Sequence, residues 1–525
     1  MAGINPSGMY RISGLASGMD IDGIVKDLMN AHRMRLDSVE QDKQIWQWRQ
    51  EDYRSINTAL LNMRNAVFDL RLQGSFMLKK AESSSGAVTA EAGATALDAV
   101  HTVEVSSLAR GALIASESEV ETIGAYTAPL SEMLEGLATD EDGKITVEIG
   151  DGISTETFAL DADTHSLKNL IEQINKSELN VQASWDNNLN RFYLASTKLG
   201  AENGVSCKDQ SGNLMTILCS ASSTEGKQVS GTDAQVSIDG IDYTFDSNQF
   251  KVNGVTYNLK GTTTKTNPAD ITISHDVDTV FNNIKDFVDK YNTLLDTLNG
   301  KLSEERYTDH KPLTDEQISS GELTDKQIDQ WQEKARSGLL RGDTLLGRAA
   351  TSMRTALSSV VVGLTGVVTV SNGSERITTT ANQLSVIGIT TGSYQDKGKL
   401  YINETRLREA LQSNPEAVME LFTKSRDASG NEITDSSKQG LAVQLYEGID
   451  GAISLLTDRA GSGSSLYDDS YISKKVRNID ENISKMEDHL QVLEARYYRQ
   501  FTAMEMAIAR MNTQSMWLTQ QFSGS

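Results

Sequence analysis

Gly14, Gly18 and Gly23 punctuate the stretch "RISGLASGMDIDGIVKDLM" (Arg11–Met29), and two aspartates follow at Asp20 and Asp22. Glycines spaced this way can cradle a phosphate. That chemistry needs a lysine and a hydroxyl residue directly after the last glycine, with a strand ahead of the loop. Gly18 is followed by Met19 and Asp20, whose carboxylate repels an anion, and no strand-like run comes before. The residues instead suit a helix start. Asp20 or Asp22 accepts backbone N–H groups there, and its charge complements the positive end of the helix dipole. Ile21, Ile24, Val25 and Leu28 then share one apolar face.

No other set of reactive side chains assembles. Cys207 and Cys219 are too few for a disulfide framework or a zinc cluster. They pair, or they stand as two unpaired residues in a loop-rich region, and the spacing leaves both open. The 6 histidines are scattered and none stands in an HExxH pattern. "TDEDGK" at 139–144 lacks the terminal glutamate of a calcium loop and reads as a turn before a strand. There is no GxSxG elbow. Acids such as Glu202 and Asp209 read as solvated loop carboxylates rather than a pair across a cleft. The expectation is no enzyme, no cofactor and no metal.

The chain has 525 residues, enough for several domains with cores of their own. Its 49 basic residues against 72 acidic ones leave a net charge of −23. That balance argues against non-specific binding to nucleic acid and against an anionic membrane surface. No apolar run reaches the ~18 residues of a membrane span. The N-terminus lacks the basic-then-apolar pattern of a cleaved signal peptide.

Periodicity organises the rest. Val25, His32, Val39, Trp46, Tyr53, Leu60 and Val67 recur every seven residues, and a second ladder runs Leu28, Arg35, Asp42, Arg49, Ile56, Met63, Leu70. Two such seams predict a coiled-coil helix. The second seam is polar until Ile56, so residues 53–70 should pack tightly and 30–50 loosely. Trp46 and Trp48 in the loose part either wait for a partner or pack inside the same protein. The C-terminus repeats the pattern through Ile472, Val476, Ile479, Ile483, Met486, Leu490, Leu493 and Tyr497. It continues with Phe501, Met504, Ile508, Met511, Leu518 and Phe522. A continuous helix over 471–522 spans roughly 78 Å, and its methionines suit an exchangeable surface. Its natural partner is the N-terminal helix.

Between these ends the period is two, at Val103/Val105, Ile145/Val147/Ile149, Val181/Ala183/Trp185, Val236/Ile238, Val255/Tyr257/Leu259 and Ile271/Ile273. These are half-buried strands. Residues 145–197 read strand, strand, helix, strand, strand, the helix presenting Leu167, Leu170, Ile171 and Ile174. Stretches 83–96 and 220–232, rich in Ser, Gly and Thr, read as boundaries. Helices return over 277–299, with Gly300 as the stop, then over 324–337, 343–360, 404–412 and 415–423. Thr314/Gln317 and Thr324/Gln327 form capping-box starts. The expected fold is an α+β multidomain protein, with a coiled-coil stalk from the terminal helices, a helical unit and inserted β-rich modules.

At this point the residues acquire a likeness. "GLASGMDIDGIVKDLM" resembles the opening of bacterial flagellar filament cap proteins, the hook-associated protein 2 family. Gly14, Leu15, Ala16, Ser17, Gly18, Asp20, Ile24, Val25, Leu28 and Met29 match it, with Met19 in place of the usual leucine. "SLKNLIEQINKSELNVQASWDNNLNRFYLAST" is similar to a small repeat shared by flagellins and hook-associated proteins, with Ile174 and Asn175 as its signature pair. "VEVSSLARGALIAS", "VSIDGIDYTFDSNQF", "VNGVTYNLKGTT", "WQEKARSGLLRGDTLL" and "IGITTGSYQDKGKLYINETRLREALQSNPEAVMELF" also fit, so the likeness covers almost the whole chain.

The resemblance implies a homo-oligomeric, pentamer-like ring at the extracellular tip of the flagellum. The ring promotes folding and insertion of exported flagellin, and some members also act as adhesins. It implies contacts with flagellin and a hook–filament junction protein, an export chaperone at the C-terminal helix, and type III export without a cleaved signal. It further implies leg helices at 1–42 and 475–525 and a stalk domain at 43–78 and 278–474. A plate domain at 79–125 and 230–277 and a second inserted module at 126–229 complete the layout. Interaction residues would be the opening motif together with Trp46, Trp48, Met504, Met511 and Trp517. The rival readings are a hook–filament junction protein or another axial flagellar protein, and a secreted enzyme or adhesin with a coiled-coil stalk. The last would use an aromatic patch such as Trp185 and Tyr193.

Overall fold

The computed structural model describes residues 18–373, 375–463 and 468–522. Gly14, Leu15, Ala16 and Ser17 lie outside the described residues, as does the side chain of Phe522. The chain divides into two compact units: the residues up to Phe76 together with those from Val280 onward, and Met77–Thr279.

The first element, α1 (Ile21–Leu70), is 50 residues long. No proline interrupts it, and Asp20 caps it by accepting the Gly23 N–H at 2.9 Å. Its apolar face divides as the ladders predict. Tyr53, Ile56, Leu60, Met63, Val67 and Leu70 are buried, whereas no residue of 31–50 is fully buried.

The second unit follows. Its elements are β1 (Lys79–Ser83), β2 (Val88–Ala92), β3 (Val100–Ser107), β4 (Leu113–Ala115), α2 (Leu130–Met133), β5 (Lys144–Gly150), β6 (Thr155–Asp161) and α3 (Leu167–Lys176). It continues with β7 (Val181–Asp186), β8 (Arg191–Ser196), β9 (Val205–Ser211), α4 (Leu214–Cys219) and β10 (Lys227–Val229). Strands β11 (Ala234–Ile238), β12 (Ile241–Phe245), β13 (Gln249–Val252), β14 (Val255–Leu259) and β15 (Ala269–His275) complete it.

Two hydrophobic cores lie within this unit. Sheets β1-β15-β3-β11-β12 and β13-β14-β2 enclose one, around Val103, Val236, Tyr257 and Ile271. Sheets β10-β9-β5-β6 and β4-β8-β7, with the three short helices, enclose the other, around Ile145, Leu170, Phe192 and Leu218. Every period-two strand expected from the sequence forms, and 145–197 runs β5, β6, α3, β7, β8. The chain crosses between the cores from Ala109 to Ala112, ahead of the 125/126 boundary drawn on the sequence, and returns between Ala221 and Ala234. Two tight hairpins hold the first core's strands in register. Asp239-Gly240 joins β11 to β12 and Asn253-Gly254 joins β13 to β14, with all four residues at positive φ.

The return through the first unit runs α5 (Val277–Ser303), α6 (Asp315–Ser319), α7 (Asp325–Arg336) and α8 (Thr344–Ser358). Hairpins β16 (Val367–Asn372)/β17 (Glu375–Thr380) and β18 (Ile389–Thr391)/β19 (Leu400–Ile402) follow. Then come α9 (Glu404–Ser413), α10 (Pro415–Thr423), α11 (Leu441–Ala460) and α12 (Tyr471–Phe522). Both expected capping boxes are present, at Thr314 and Thr324.

The structure corrects several expectations. The stretch 83–96 is not a boundary: it lies inside the first core, where Val88 is fully buried and β2 pairs with β14. The stretch 220–232 is where the chain passes back between the cores, and it also contributes β10 to a sheet. Gly300 does not end α5, which runs to Ser303, because Lys301 closes an ion pair with the buried Asp52 of α1 at 3.1 Å. Helix α11 has no counterpart in the sequence reading. It buries Leu441, Val443, Leu445, Ile449 and Leu456 against several neighbours at once, so no single apolar seam marks it. Asp209 is buried rather than solvated, and accepts the N–H groups of Met215 and Thr216 at the start of α4 (2.7 and 2.8 Å). Cys207 and Cys219 lie on β9 and α4, not in loops, and both are free thiols.

Polar anchors complete the packing. Asp52 joins Lys301 and Arg336 (3.1 and 2.9 Å), and the Tyr53 hydroxyl donates to Asp343, which also caps α8. In the second unit Asp151 accepts N–H groups from Ile153 (3.0 Å), Ser154 (2.7 Å) and Asn180 (3.1 Å). Burial pushes its carboxyl up, but these donors outweigh that effect and hold it at about 2.

Two outcomes test this account. Leu60→Ala should destabilise the first unit by roughly 2–5 kcal/mol, measured by denaturant unfolding, whereas truncation of half-exposed Leu493 should cost clearly less. Asp151 carries a folded pKa below its unfolded value, so its contribution is complete above the ordinary carboxylate range and is lost as pH falls through about 2. Asp151→Asn should therefore lower the melting temperature of the second unit at pH 7, with the gap to wild type closing in strong acid.

Candidate interaction surface on the terminal helices

The two long helices run antiparallel. His32 Nε2 meets the Tyr497 hydroxyl at 3.3 Å, Lys43 pairs with Asp480 at 2.7 Å, and Trp46 meets the Tyr471 ring edge-on at 6.2 Å. Rising numbers on α1 thus meet falling numbers on α12. At the start of α1, Ile21, Val25 and Met29 are buried against Leu490, Leu493, Tyr497, Tyr498 and Phe501. This seam steps by four. It leaves Ile24 36% and Leu28 38% exposed, so these two do not share the buried face expected for them. The reason is the partner's width: α12 offers one narrow row of side chains, and only one row of α1 can face it.

The α12 register also holds in part. Ile472 and Ile479 are buried, and Val476, Ile483, Met486, Leu490, Leu493, Phe501, Met504 and Ile508 are half-buried. Beyond Ile508 the face opens: Met511 is 61% and Trp517 57% exposed, and Met516 and Leu518 are exposed too. The described part of α1 begins where this opening starts. Of the sequence-selected residues, the structure therefore buries Val25, half-buries Trp46, Trp48 and Met504, and exposes Gly18, Asp20, Ile24, Leu28, Met511 and Trp517. Trp46 is spent internally, between Tyr471 and the Arg49 guanidinium 5.2 Å from its ring.

Sequence reasoning missed the joint that sets the direction of α12. Asp468 accepts the Ser470 N–H, the Ser473 hydroxyl (2.6 Å), the Gln50 amide (3.2 Å) and the Arg54 guanidinium (2.6 Å). Burial raises its carboxyl pKa, but the hydrogen bonds from Ser473 and Ser470 and the charge of Arg54 bring it below the usual range. No periodicity marks such a joint, because its members lie more than four hundred residues apart in the chain.

Within the loose part of α1, Asp37 and Glu40 stand among other carboxylates. Burial raises the Asp37 carboxyl, helped by the charge of Glu316. Burial also raises Glu40, helped by Asp37, Asp315 and Glu487. Crowded like charges there weaken the packing of this stretch above the carboxylate range. Among the described residues no cluster of His, Cys, Asp or Glu is placed to hold a metal, and no helix is long and apolar enough to cross a membrane. In the second unit Ile174 is buried in the core, and the Asn175 amide bonds both backbone groups of Ala183 on β7 (2.7 and 3.0 Å). Trp185 and Tyr193 are half-buried on β7 and β8.

The family model described as the flagellar hook-associated protein 2 C-terminus matches residues 231–513, more than half of the chain. The model for the N-terminus of the same protein matches residues 17–112. The chain belongs to the flagellar hook-associated protein 2 family. The flagellar hook-associated protein 2 of Halalkalibacterium halodurans is 29% identical over 98% of this chain and 99% of its own length. That of Escherichia coli K12 is 26% identical over 98% of each. Among solved structures, the D1-D2-D3 domains of the flagellar cap protein FliD from Escherichia coli superpose with a TM-score of 0.51 at 22% identity. That match covers 82% of this chain and 99% of that one, and it shows a shared fold. The matched C-terminal region stops at residue 513, within the exposed end of α12.

Replacing Val25 by Asp should release this end of the hairpin. Backbone hydrogen exchange should rise over both 21–35 and 490–504, by the equivalent of at least about 2 kcal/mol. Ile24→Asp should leave both segments protected.

Proposed function

We propose that the chain caps the distal end of the growing flagellar filament as a closed homo-oligomeric ring, and that it promotes folding and insertion of flagellin there without covalent chemistry. Membership of the hook-associated protein 2 family, together with a relative matched end to end, carries this reading. On it, the site of action is extracellular, reached by flagellar type III export, and the partners are flagellin, the hook–filament junction protein and an export chaperone at the C-terminal helix. The domain reading of terminal leg helices, helical stalk, plate and second inserted module belongs to this proposal, as does a secondary adhesin role.

The helical hairpin supports an exchangeable contact in physical terms. Its upper half buries only three α1 residues fully, at 21, 25 and 29, and it leaves the methionine-rich face of α12 open to a partner. Methionine adapts its shape at low cost, which suits a surface that meets successive subunits. Gly18, Asp20, Ile24, Leu28, Trp48, Met504, Met511 and Trp517 are the residues proposed for that contact, together with the opening motif from Gly14.

Supplying the protein to a flagellated strain that lacks its own cap, alongside the cognate flagellin, should give long filaments and little flagellin in the medium. Met511→Asp with Trp517→Asp should shorten filaments and release flagellin several-fold while the protein stays folded. Flagellin lost to the medium with the unaltered protein would move the assignment to a junction component.

A further inference from the structure

The second unit holds a feature that capping does not use. Cys207, in the middle of β9, and Cys219, the last residue of α4, are 1% and 0% exposed, and their sulfurs are 3.2 Å apart. They are the chain's only two cysteines, separated by twelve residues. Cys219 also donates to the Met215 carbonyl, so its proton has two acceptors within reach.

Charge favours one thiol as the nucleophile. The hydrogen bond from Cys219 is the main influence lowering the Cys207 pKa; burial opposes it and Lys227 assists. The Cys219 thiol is pushed the other way and holds its proton. Lys227 is the β10 residue directly opposite Cys207. Its ammonium is fixed by the Cys219 carbonyl and by Glu117, each at 2.9 Å. A cavity of about 380 Å³ lined by Gly152, Ser206, Lys208 and Lys227 borders β9 at Cys207, whose own side chain is buried.

We propose that these two residues are a redox-closed staple: in an oxidising medium the folded chain joins Cys207 to Cys219. The Cys207 thiolate attacks one sulfur of a low-molecular-weight disulfide, whose other sulfur leaves as a thiolate and takes up a proton. Cys219 gives its proton to solvent and attacks the Cys207 sulfur of the mixed disulfide, displacing the second small thiol. Two protein thiols are oxidised and one small disulfide is reduced to two thiols. Closure requires the sulfurs to approach by roughly 1 Å. Cys219 can supply that movement because α4 is only 6 residues long and breaks at Ser220, whose φ is +54°. The closed loop ties α4 to the central pair β5–β9, so the staple locks this module and leaves its surface unchanged.

The test uses the folded full-length chain, equilibrated in glutathione buffers from fully reduced to fully oxidised and then denatured and alkylated. Intact mass should show both thiols lost together, with a decrease of about 2 Da and no alkylation at the oxidised end, reversed by reductant. Oxidation should raise the melting temperature of the second unit and slow hydrogen exchange over residues 205–221. Cys207→Ser and Cys219→Ser should each abolish that shift and leave one thiol. If either variant fails to fold, the reduced and oxidised forms of the unaltered chain carry the comparison alone. Two alkylated thiols per chain at the oxidised end, or disulfides between chains, would overturn the proposal. That failure would leave the capping reading untouched, since filament growth does not report on it.

Discussion

Burial of one face of α1 is the constraint on which the first unit depends. That helix carries an apolar seam in the N-terminal part of the chain, and it meets α11 and α12 along its length and α5 through the Asp52–Lys301 ion pair, all contributed from residue 277 onward. The chain must therefore return after the inserted β unit to cover it. Tyr53, Ile56, Leu60, Met63, Val67 and Leu70 sit at 0–3% exposure along that face, and each fully buried side chain contributes about 1.5–3 kcal/mol. Such a sum holds two chain ends together across a two-hundred-residue insertion, because the entropic cost of closing a loop grows only slowly with its length.

The same helix changes character along its length. Below residue 50 its seam is mixed, and the structure answers with the Lys43–Asp480 ion pair, an edge-on tryptophan and a single buried row of Ile21, Val25 and Met29. The lower half is a core and the upper half is a clasp. Burial and the nearby charges of Glu316, Asp315 and Glu487 raise the Asp37 and Glu40 carboxyls, so their charged forms oppose tight packing of the clasp. A stable base with a weakly held tip is what a scaffold needs if its end is to exchange contacts.

The β unit owes its order to a different device. Its strands pair antiparallel, and two hairpins turn on Asp-Gly and Asn-Gly pairs whose positive φ values set the register. Buried carboxylates then do local work. Asp151 organises the β5–β6 turn together with Asn180, and Asp209 starts α4. Each is tolerated because backbone N–H groups replace the water it lost.

Local pattern determined much of this protein. The heptads of α1 and α12, the period-two strands, the capping boxes at Thr314 and Thr324 and the Asp20 cap each depend on residues within a few positions of one another, so short windows disclose them. The motif from Gly14 to Met29 likewise led to the family. Tertiary structure alone decided which row of α1 is buried, because that depends on where α12 lies: Val25 goes in while Ile24 and Leu28 stay out. It decided that α11 is a helix without a seam, that Asp209 is an internal cap and that Trp46 faces Tyr471. It also brought Cys207 to Cys219 and Asp468 to Arg54. These outcomes rest on contacts between distant segments, and no window of sequence holds both partners of such a contact.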